Sequence, residues 1–234
     1  MIPLKDRHPR STAPAVNVLI IVINTLVFLF ELTIPESRES TFMMSYAMVP
    51  ARVTHQLVAH RVPLQVALEP FLTSMFLHGG WMHLIGNMLF LWVFGNSVED
   101  RLGHVSYFLF YLVCGFGAGL SHLMMNLGSN VPSLGASGAI SGVLGAYIIL
   151  FPRSRILTLV PLIVFWFTVD LPAFIILGYW FVIQFFSGLS SLGMRGAGGG
   201  VAWWAHIGGF VIGLFLVRIW PQRPRPIPYW YRQA

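Results

Sequence analysis

Six apolar runs, separated by polar connections, dominate this sequence and restrict the environment in which it can fold. The clearest run, residues 104–126, contains no Asp, Glu, Lys or Arg. An α-helix needs about 20 apolar residues to cross the core of a bilayer. Of all 234 residues only 9% are charged, whereas about 25% of a soluble domain is charged. The sequence therefore predicts a protein that folds within a membrane.

The runs predict an integral multi-pass protein of the all-α class, with six transmembrane helices bundled in a single domain (1–234). A short cytoplasmic segment (1–13) precedes the helices, a basic, proline-rich tail (221–234) follows them, and a long connection (33–77) has structure of its own. The first run is too long for the apolar part of a signal peptide and lacks a clear A-x-A cleavage site, so we interpret it as a retained helix. The predicted spans are residues 14–32, 83–98, 104–126, 137–151, 172–189 and 203–220.

The positive charges predict an orientation. With the amino terminus inside, ten Lys and Arg residues fall on the cytoplasmic side and four on the other, as the positive-inside rule expects. Both termini are therefore predicted to be cytoplasmic, in a plasma (inner) membrane. We expect the basic side chains to contact the lipid bilayer and not nucleic acid. The inner set is Lys5, Arg7, Arg10, Arg101, Arg153, Arg155, Arg218, Arg223, Arg225 and Arg232, and the outer set is Arg38, Arg52, Arg61 and Arg195.

Residues 155–172 do not fit a simple span. They are apolar but contain Pro161 and Asp170, and their β-branched and aromatic content predicts an interfacial or re-entrant piece on the cytoplasmic side. Asp170 lies just before Pro172 and suits the start of the fifth helix. A functional intramembrane carboxylate is the alternative.

Polar side chains inside the spans require partners, because hydrocarbon offers none. His83 and Asn87 are four residues apart and share a helix face, and His78 precedes them near the start of that helix. One interpretation is that they hydrogen-bond across helices and hold the bundle together. A zinc site is another, but the segment has no H-E-x-x-H motif and no nearby carboxylate or thiol.

A second polar position lies in the stretch "LGASGAISGVLGAY". Gly135 and Gly138 flank Ser137, and the small residues permit close helix packing, in which Ser137 could be one more small side chain. The helix that follows is too short to cross the bilayer core, so its start should lie below the membrane surface. A helix amino terminus leaves backbone N–H groups free. A serine placed there has donors directed at the group its oxygen attacks, as an oxyanion hole requires.

A third polar position is His206, in "WWAHIGGFVIGLFLV". A single histidine in a helix is commonly a structural group. The predicted topology, however, brings His206, Ser137 and the His83 end of the second span to the same non-cytoplasmic side. Three polar clusters at similar depth favour one shared site over three separate structural roles.

These residues together resemble a known family. "HGGWMHLIGN", "VEDRLG", "GASG" and "AHIGG" occur in that order on six spans, and the pattern is similar to that of the rhomboid intramembrane serine proteases. The resemblance implies that Ser137 is the nucleophile and His206 the general base of a dyad. It also implies that His83 and Asn87 are oxyanion donors and that His78 supports the site.

The resemblance further implies a structural role for Glu99 and Arg101, substrates that are transmembrane proteins, and no cofactor or metal. Some rhomboids carry an aromatic residue four positions after the serine, where it packs on the catalytic histidine, but here that position is Ser141. A catalytically silent rhomboid-like protein that binds transmembrane clients is the alternative function. A transporter is disfavoured, because no repeat is evident and the polar residues gather on one side, not at the midplane.

Overall fold

The chain is mostly helical in the computed structural model, which describes residues 1–59, 62–162, 165–192 and 201–224. Arg61, Arg195, Arg225 and Arg232, together with most of the predicted tail, lie outside the described residues. The helices are α1 (Ala15–Glu31), α2 (Glu36–Tyr46), α3 (Pro50–Ala59), α4 (Leu64–Thr73), α5 (Trp81–Phe90), α6 (Asn96–Leu102), α7 (His104–Met125), α8 (Ser137–Leu150), α9 (Ala173–Ser191) and α10 (Trp203–Ile219). The strands are β1 (Ile2–Asp6), β2 (Arg155–Leu162) and β3 (Phe165–Pro172).

All six apolar runs form helices whose ends lie within a few residues of the prediction. Five of them are the single helices α1, α7, α8, α9 and α10, and the second runs through α5, a π-helical segment (Leu91–Gly95) and α6. Within the described residues, α7 and α9 are long and apolar enough to cross a bilayer by length and composition, and α1, α8 and α10 are shorter apolar helices. The helices are thus confirmed, and the number of membrane crossings stays a prediction.

Helix α8 lies at the centre of the bundle, between α7 and α10. Ten consecutive residues of it, from Gly138 to Tyr147, are buried. Glycines let α10 approach closely, because a Cβ at Gly209 would overlap the Gly138 carbonyl and a Cβ at Gly213 would overlap the Gly142 carbonyl. The small residues of the serine-containing stretch therefore permit close packing of α8 against α10.

The connection between the first two apolar runs folds into the short helices α2, α3 and α4, followed by a 3₁₀ turn at Ser74–Phe76. It is fastened to the loop that precedes α8. Met48 and Ser133 exchange backbone hydrogen bonds of 3.0 and 2.8 Å, and the Ala51 N–H donates to the Ser129 carbonyl at 2.9 Å. The connection therefore fixes the chain that leads into Ser137.

A three-stranded antiparallel sheet in the order β1-β2-β3 departs from the all-α prediction. Strands β2 and β3 pair antiparallel as a hairpin, and β1 adds to the edge of β2 from the amino-terminal segment. The prediction that Asp170 starts the fifth helix is wrong. Asp170 lies on β3 and its carboxylate pairs with Arg7 at 3.2 Å, while α9 begins at Ala173 without a side-chain cap.

The free end of the β2–β3 hairpin carries exposed aromatic side chains on both faces. Phe165 is 77% exposed and Trp166 is 65% exposed, and neighbours along a strand point to opposite faces. Lipid at the membrane interface, where aromatic rings are favoured, can cover both faces at once. The hairpin should therefore dip into the bilayer surface, with its charged base outside.

A fluorescent label tests this placement. Phe165→Cys labelled with an environment-sensitive dye should emit at shorter wavelength in liposomes and be quenched by lipids that carry spin labels. Arg155→Cys at the base of the hairpin is the matched control and should report water. The native Cys114 is fully buried and should not take the dye. Equal, water-like emission from both positions would contradict a hairpin that contacts lipid.

Candidate active site

Ser137 is the first residue of α8. The first backbone N–H groups of a helix have no partner within it and carry partial positive charge. Just before the helix, Gly135 adopts a φ of 116°, a left-handed value that favours glycine. The Gly135 N–H donates to the Ser74 carbonyl at 2.8 Å. The turn and this hydrogen bond fix the position of Ser137 at the start of α8.

His206 lies within hydrogen-bond distance of Ser137, although 69 positions separate them in the chain. The His206 Nε2 atom is 2.7 Å from the Ser137 Oγ atom. The glycine contacts between α8 and α10 produce this approach, since His206 is one turn before Gly209 on α10. Gly138 also lies against α7, where an added Cβ would come 2.8 Å from the Ala118 Cβ. A hydroxyl beside an imidazole at this distance is the geometry of an activated nucleophile.

His83 and Asn87 both face the loop that precedes Ser137. A Cβ added at Gly135 would lie 2.6 Å from His83 Nε2 and 3.5 Å from Asn87 Nδ2. The Gly79 N–H donates to His83 Nδ1 at 3.4 Å, which leaves the ring proton on Nε2, the nitrogen directed at this loop. The two side chains therefore present N–H donors to the loop that leads into Ser137, an arrangement that suits an oxyanion hole.

His78 forms a hydrogen bond with the Asn87 side chain and so fixes its orientation. Asn87 Nδ2 donates to His78 Nε2 at 3.1 Å, while His78 Nδ1 lies 3.3 Å from the Phe76 carbonyl. One N–H of the Asn87 amide is thereby used, and its second N–H stays available. His78 is itself anchored to α1, because its backbone N–H donates to the Glu31 carboxylate at 3.2 Å.

A cavity of about 30 Å³ reaches Ser137 and is lined by small residues of α7, α8 and α10 together with residues of α4 and of the loops that precede α8 and α10. This volume holds about two water molecules, since each needs at least about 10–15 Å³. Across the described ranges, no group of three or more His, Cys, Asp or Glu side chains is arranged to hold a metal ion. The small lining residues include Gly115, Ala118, Gly119, Gly138 and Ala205.

A family model described as "Rhomboid domain" matches residues 66–223, which is more than half of the chain. The match includes His78, His83, Asn87, Ser137 and His206. The chain belongs to the rhomboid family.

Several curated rhomboids are similar in sequence. "Rhomboid protein 1, mitochondrial" of Saccharomyces cerevisiae is 34% identical over 60% of this chain and 38% of its own length. "Presenilin-associated rhomboid-like protein, mitochondrial" of Homo sapiens is 28% identical over 71% of this chain and 43% of its own length. "Rhomboid-like protein 11, chloroplastic" of Arabidopsis thaliana is 42% identical over 31% of this chain and 26% of its own length. The chain spans less than half the length of these curated relatives.

This rhomboid has no aromatic residue at position 141, and the aromatic side chains near His206 come from α9 and α10 instead. Ser141 Oγ donates to the Ser137 carbonyl at 2.6 Å and stays within its own helix. The Trp180 ring of α9 instead lies 6.0 Å from the His206 imidazole, and Trp203 meets it edge-on at 6.3 Å. Indole rings from α9 and α10 are therefore the aromatic neighbours of the imidazole.

Gln184 is a residue of the site that the sequence reasoning missed. It lies on α9, is buried, and places its Oε1 atom 2.7 Å from His206 Nδ1. A signal for it exists in the sequence, because Gln184 is an amide inside an otherwise apolar run and such groups need partners in a membrane. It is also one turn after Trp180, so both side chains project from the same face of α9.

Glu99 and Arg101 connect segments at the end of the bundle opposite Ser137. The buried Glu99 carboxylate accepts the backbone N–H groups of Val16 and Asn17, at 2.9 and 2.7 Å, at the amino terminus of α1. The Arg101 guanidinium donates to the Arg223 carbonyl, and the Arg223 N–H donates to the Arg101 carbonyl at 2.8 Å. Both residues connect α6 to other segments and lie away from Ser137, in agreement with the structural role that the resemblance implies.

Proposed function

We propose that this rhomboid is an intramembrane serine endopeptidase that cleaves transmembrane segments of membrane proteins with a Ser–His dyad. The 2.7 Å contact between Ser137 Oγ and His206 Nε2 is the observation that carries the proposal. The nearby donors His83 and Asn87 support it further. The reaction so described requires no metal and no organic cofactor.

The proposed chemistry begins when His206 Nε2 takes the hydroxyl proton and Ser137 Oγ attacks a peptide carbonyl. The resulting oxyanion accepts hydrogen bonds from His83, Asn87 and the backbone N–H of Ser137. Loss of one such donor typically costs about 2.7–4 kcal/mol of barrier. His206 then returns the proton to the leaving amine. A water molecule, activated by the same imidazole, hydrolyses the acyl-enzyme and frees Ser137.

The proposed topology has six membrane crossings, with both termini on the side that carries ten of the 14 Lys and Arg residues. The site then opens towards the opposite side, below the lipid headgroups. The names of the curated relatives place those proteins in mitochondria or chloroplasts. The charge distribution supports the proposed orientation of this chain, and the plasma (inner) membrane is a separate part of the proposal.

The proposed substrates are transmembrane segments that unwind near the site, because the peptide bonds of an intact helix are shielded from attack. The residue at the cut should be small. The cavity beside Ser137 has a volume of about 30 Å³, and its walls combine glycine and alanine from three helices with the larger side chains of Met48, Phe71, Met75 and Leu134. A cavity of this volume accepts a short side chain and excludes a bulky one.

Covalent labelling separates the protease from a catalytically silent binder of transmembrane clients. A fluorophosphonate should label the detergent-solubilised protein at Ser137, and Ser137→Ala should abolish the label. Ser141→Ala, one turn further along α8, is the matched control and should retain it. The same preparations should be tested for cleavage of tagged single-span proteins. A folded wild-type protein that neither labels nor cleaves would support the binder and reject the protease.

A further inference from the structure

Gln184 contacts the ring nitrogen of His206 that Ser137 does not use. Its Oε1 atom lies 2.7 Å from Nδ1, and Ser137 Oγ lies 2.7 Å from Nε2. The two partners therefore meet opposite edges of one imidazole. We propose, on the basis of the proposed function, that Gln184 is a positioning residue that sets the tautomer and the orientation of His206.

The tautomer decides whether His206 can act as a base. A neutral imidazole carries one N–H, and the other nitrogen is an acceptor. The Gln184 amide oxygen can only accept a hydrogen bond, so it retains the proton on Nδ1 and leaves the Nε2 lone pair facing the Ser137 hydroxyl. With the proton on Nε2, the imidazole could not accept the serine proton. Gln184 thus occupies the place that an aspartate holds in a Ser-His-Asp triad.

A neutral amide suits this position better than a carboxylate. Gln184 is only 7% exposed and lies within an apolar helix, where a charged group is costly to bury. An amide orients the imidazole without that cost. Trp180, on the same face of α9, lies 6.0 Å from the imidazole, so this helix supplies both an aromatic neighbour and a hydrogen-bond partner of His206.

The packing of α9 against α10 helps to bring the Gln184 side chain to His206. Gly188, one turn further along α9, lies so near α10 that an added Cβ would come 2.9 Å from the Ile207 Cδ1 atom. Ile207 is next to His206 in the chain. Glycine at position 188 therefore lets the Ile207 side chain of α10 pack directly on α9, one turn from the amide that contacts the imidazole.

Two substitutions at position 184 distinguish positioning from packing. Gln184→Met keeps the length of the side chain and removes the acceptor, whereas Gln184→Glu keeps an acceptor oxygen and adds charge. We expect Gln184→Met to lower kcat by about 10- to 100-fold with little change in KM, and Gln184→Glu to stay within about tenfold of wild type. A packing role predicts the reverse order, since methionine fits an apolar site and a carboxylate does not. Gln222→Met, which removes another glutamine far from Ser137, should leave kcat unchanged.

The tautomer can be read without any proteolysis. Protein with ¹⁵N-labelled histidine in detergent micelles should show His206 protonated on Nδ1 in the wild type, with the signal assigned by its loss in His206→Ala. Gln184→Met should move the proton largely to Nε2, and Gln184→Glu should keep it on Nδ1. An unchanged tautomer in Gln184→Met would overturn the proposal, whatever the activity. Failure of the protease function would instead show as absent cleavage and labelling in the wild type, with the tautomer shift intact.

Discussion

Replacement of His206 by alanine should lower the rate of substrate cleavage by about 10²- to 10⁴-fold. In the described part of the structure, the imidazole is the only side-chain hydrogen-bond partner of Ser137 Oγ, at a distance of 2.7 Å from Nε2. Without it, the hydroxyl proton has no acceptor as the serine attacks. Cleavage of a tagged single-span protein in proteoliposomes, followed over time, measures the loss.

A surface histidine provides the matched control. His55 is exposed on α3, outside the site, so His55→Ala should cleave at the wild-type rate. Thermal unfolding of both variants in detergent should show that the substitutions leave the fold intact. If a folded His206→Ala protein cleaved as fast as the wild type, His206 would not be the general base and the dyad would be rejected.

The helices could be predicted from the sequence because they depend on local composition. Runs of apolar residues fix where helices lie, and the boundaries of α7 and α8 differ from the predicted spans by a single residue at one end. The approach of Ser137 to His206 was also accessible, because the charge pattern placed both near the same membrane surface. A similar depth in the membrane does not by itself bring the two side chains into contact. It depends on glycines that bring α8 and α10 together.

The sheet could not be predicted in the same way. Strand β1 pairs with β2 across about 150 positions of sequence, as in Ile2 with Leu159, and no local pattern in a short amino-terminal segment reveals such a partner. The apolar run 155–172 indicated β-branched and aromatic content but not its pairing. The residue type of Asp170 suits a helix start, whereas its ion pair with Arg7 is a long-range contact that the local sequence does not reveal.

Gln184 illustrates a different limit. Its spacing from Trp180 is visible in the sequence, yet the partner of a buried amide depends on how α9 is rotated about its axis. That rotation is set by packing against α10, where Gly188 permits the contact. A polar residue in an apolar helix can therefore be recognised as needing a partner before the partner can be named.

Replacement of Gly213 by alanine should destabilise the bundle by about 3 kcal/mol or more, at the upper end of what overpacking costs. The added methyl group would overlap the backbone carbonyl of Gly142. A side chain could rotate away from such a clash, but backbone inside a buried helix cannot, so α8 and α10 must separate. Those two helices carry Ser137 and His206, and their separation should lower cleavage as well as stability.

Gly178→Ala is the matched control, because it makes the same chemical change at a position where the added methyl group meets no other atom. Nothing lies within 4 Å of a Cβ added at Gly178 on α9, and alanine is favoured over glycine in a helix by about 1 kcal/mol. In thermal unfolding the Gly213→Ala midpoint should fall by roughly 6–12 °C, while Gly178→Ala should match or exceed the wild type. Equal midpoints for the two variants would mean that α8 and α10 are not held at glycine contact distance. The close packing that brings Ser137 to His206 would then lack its structural cause.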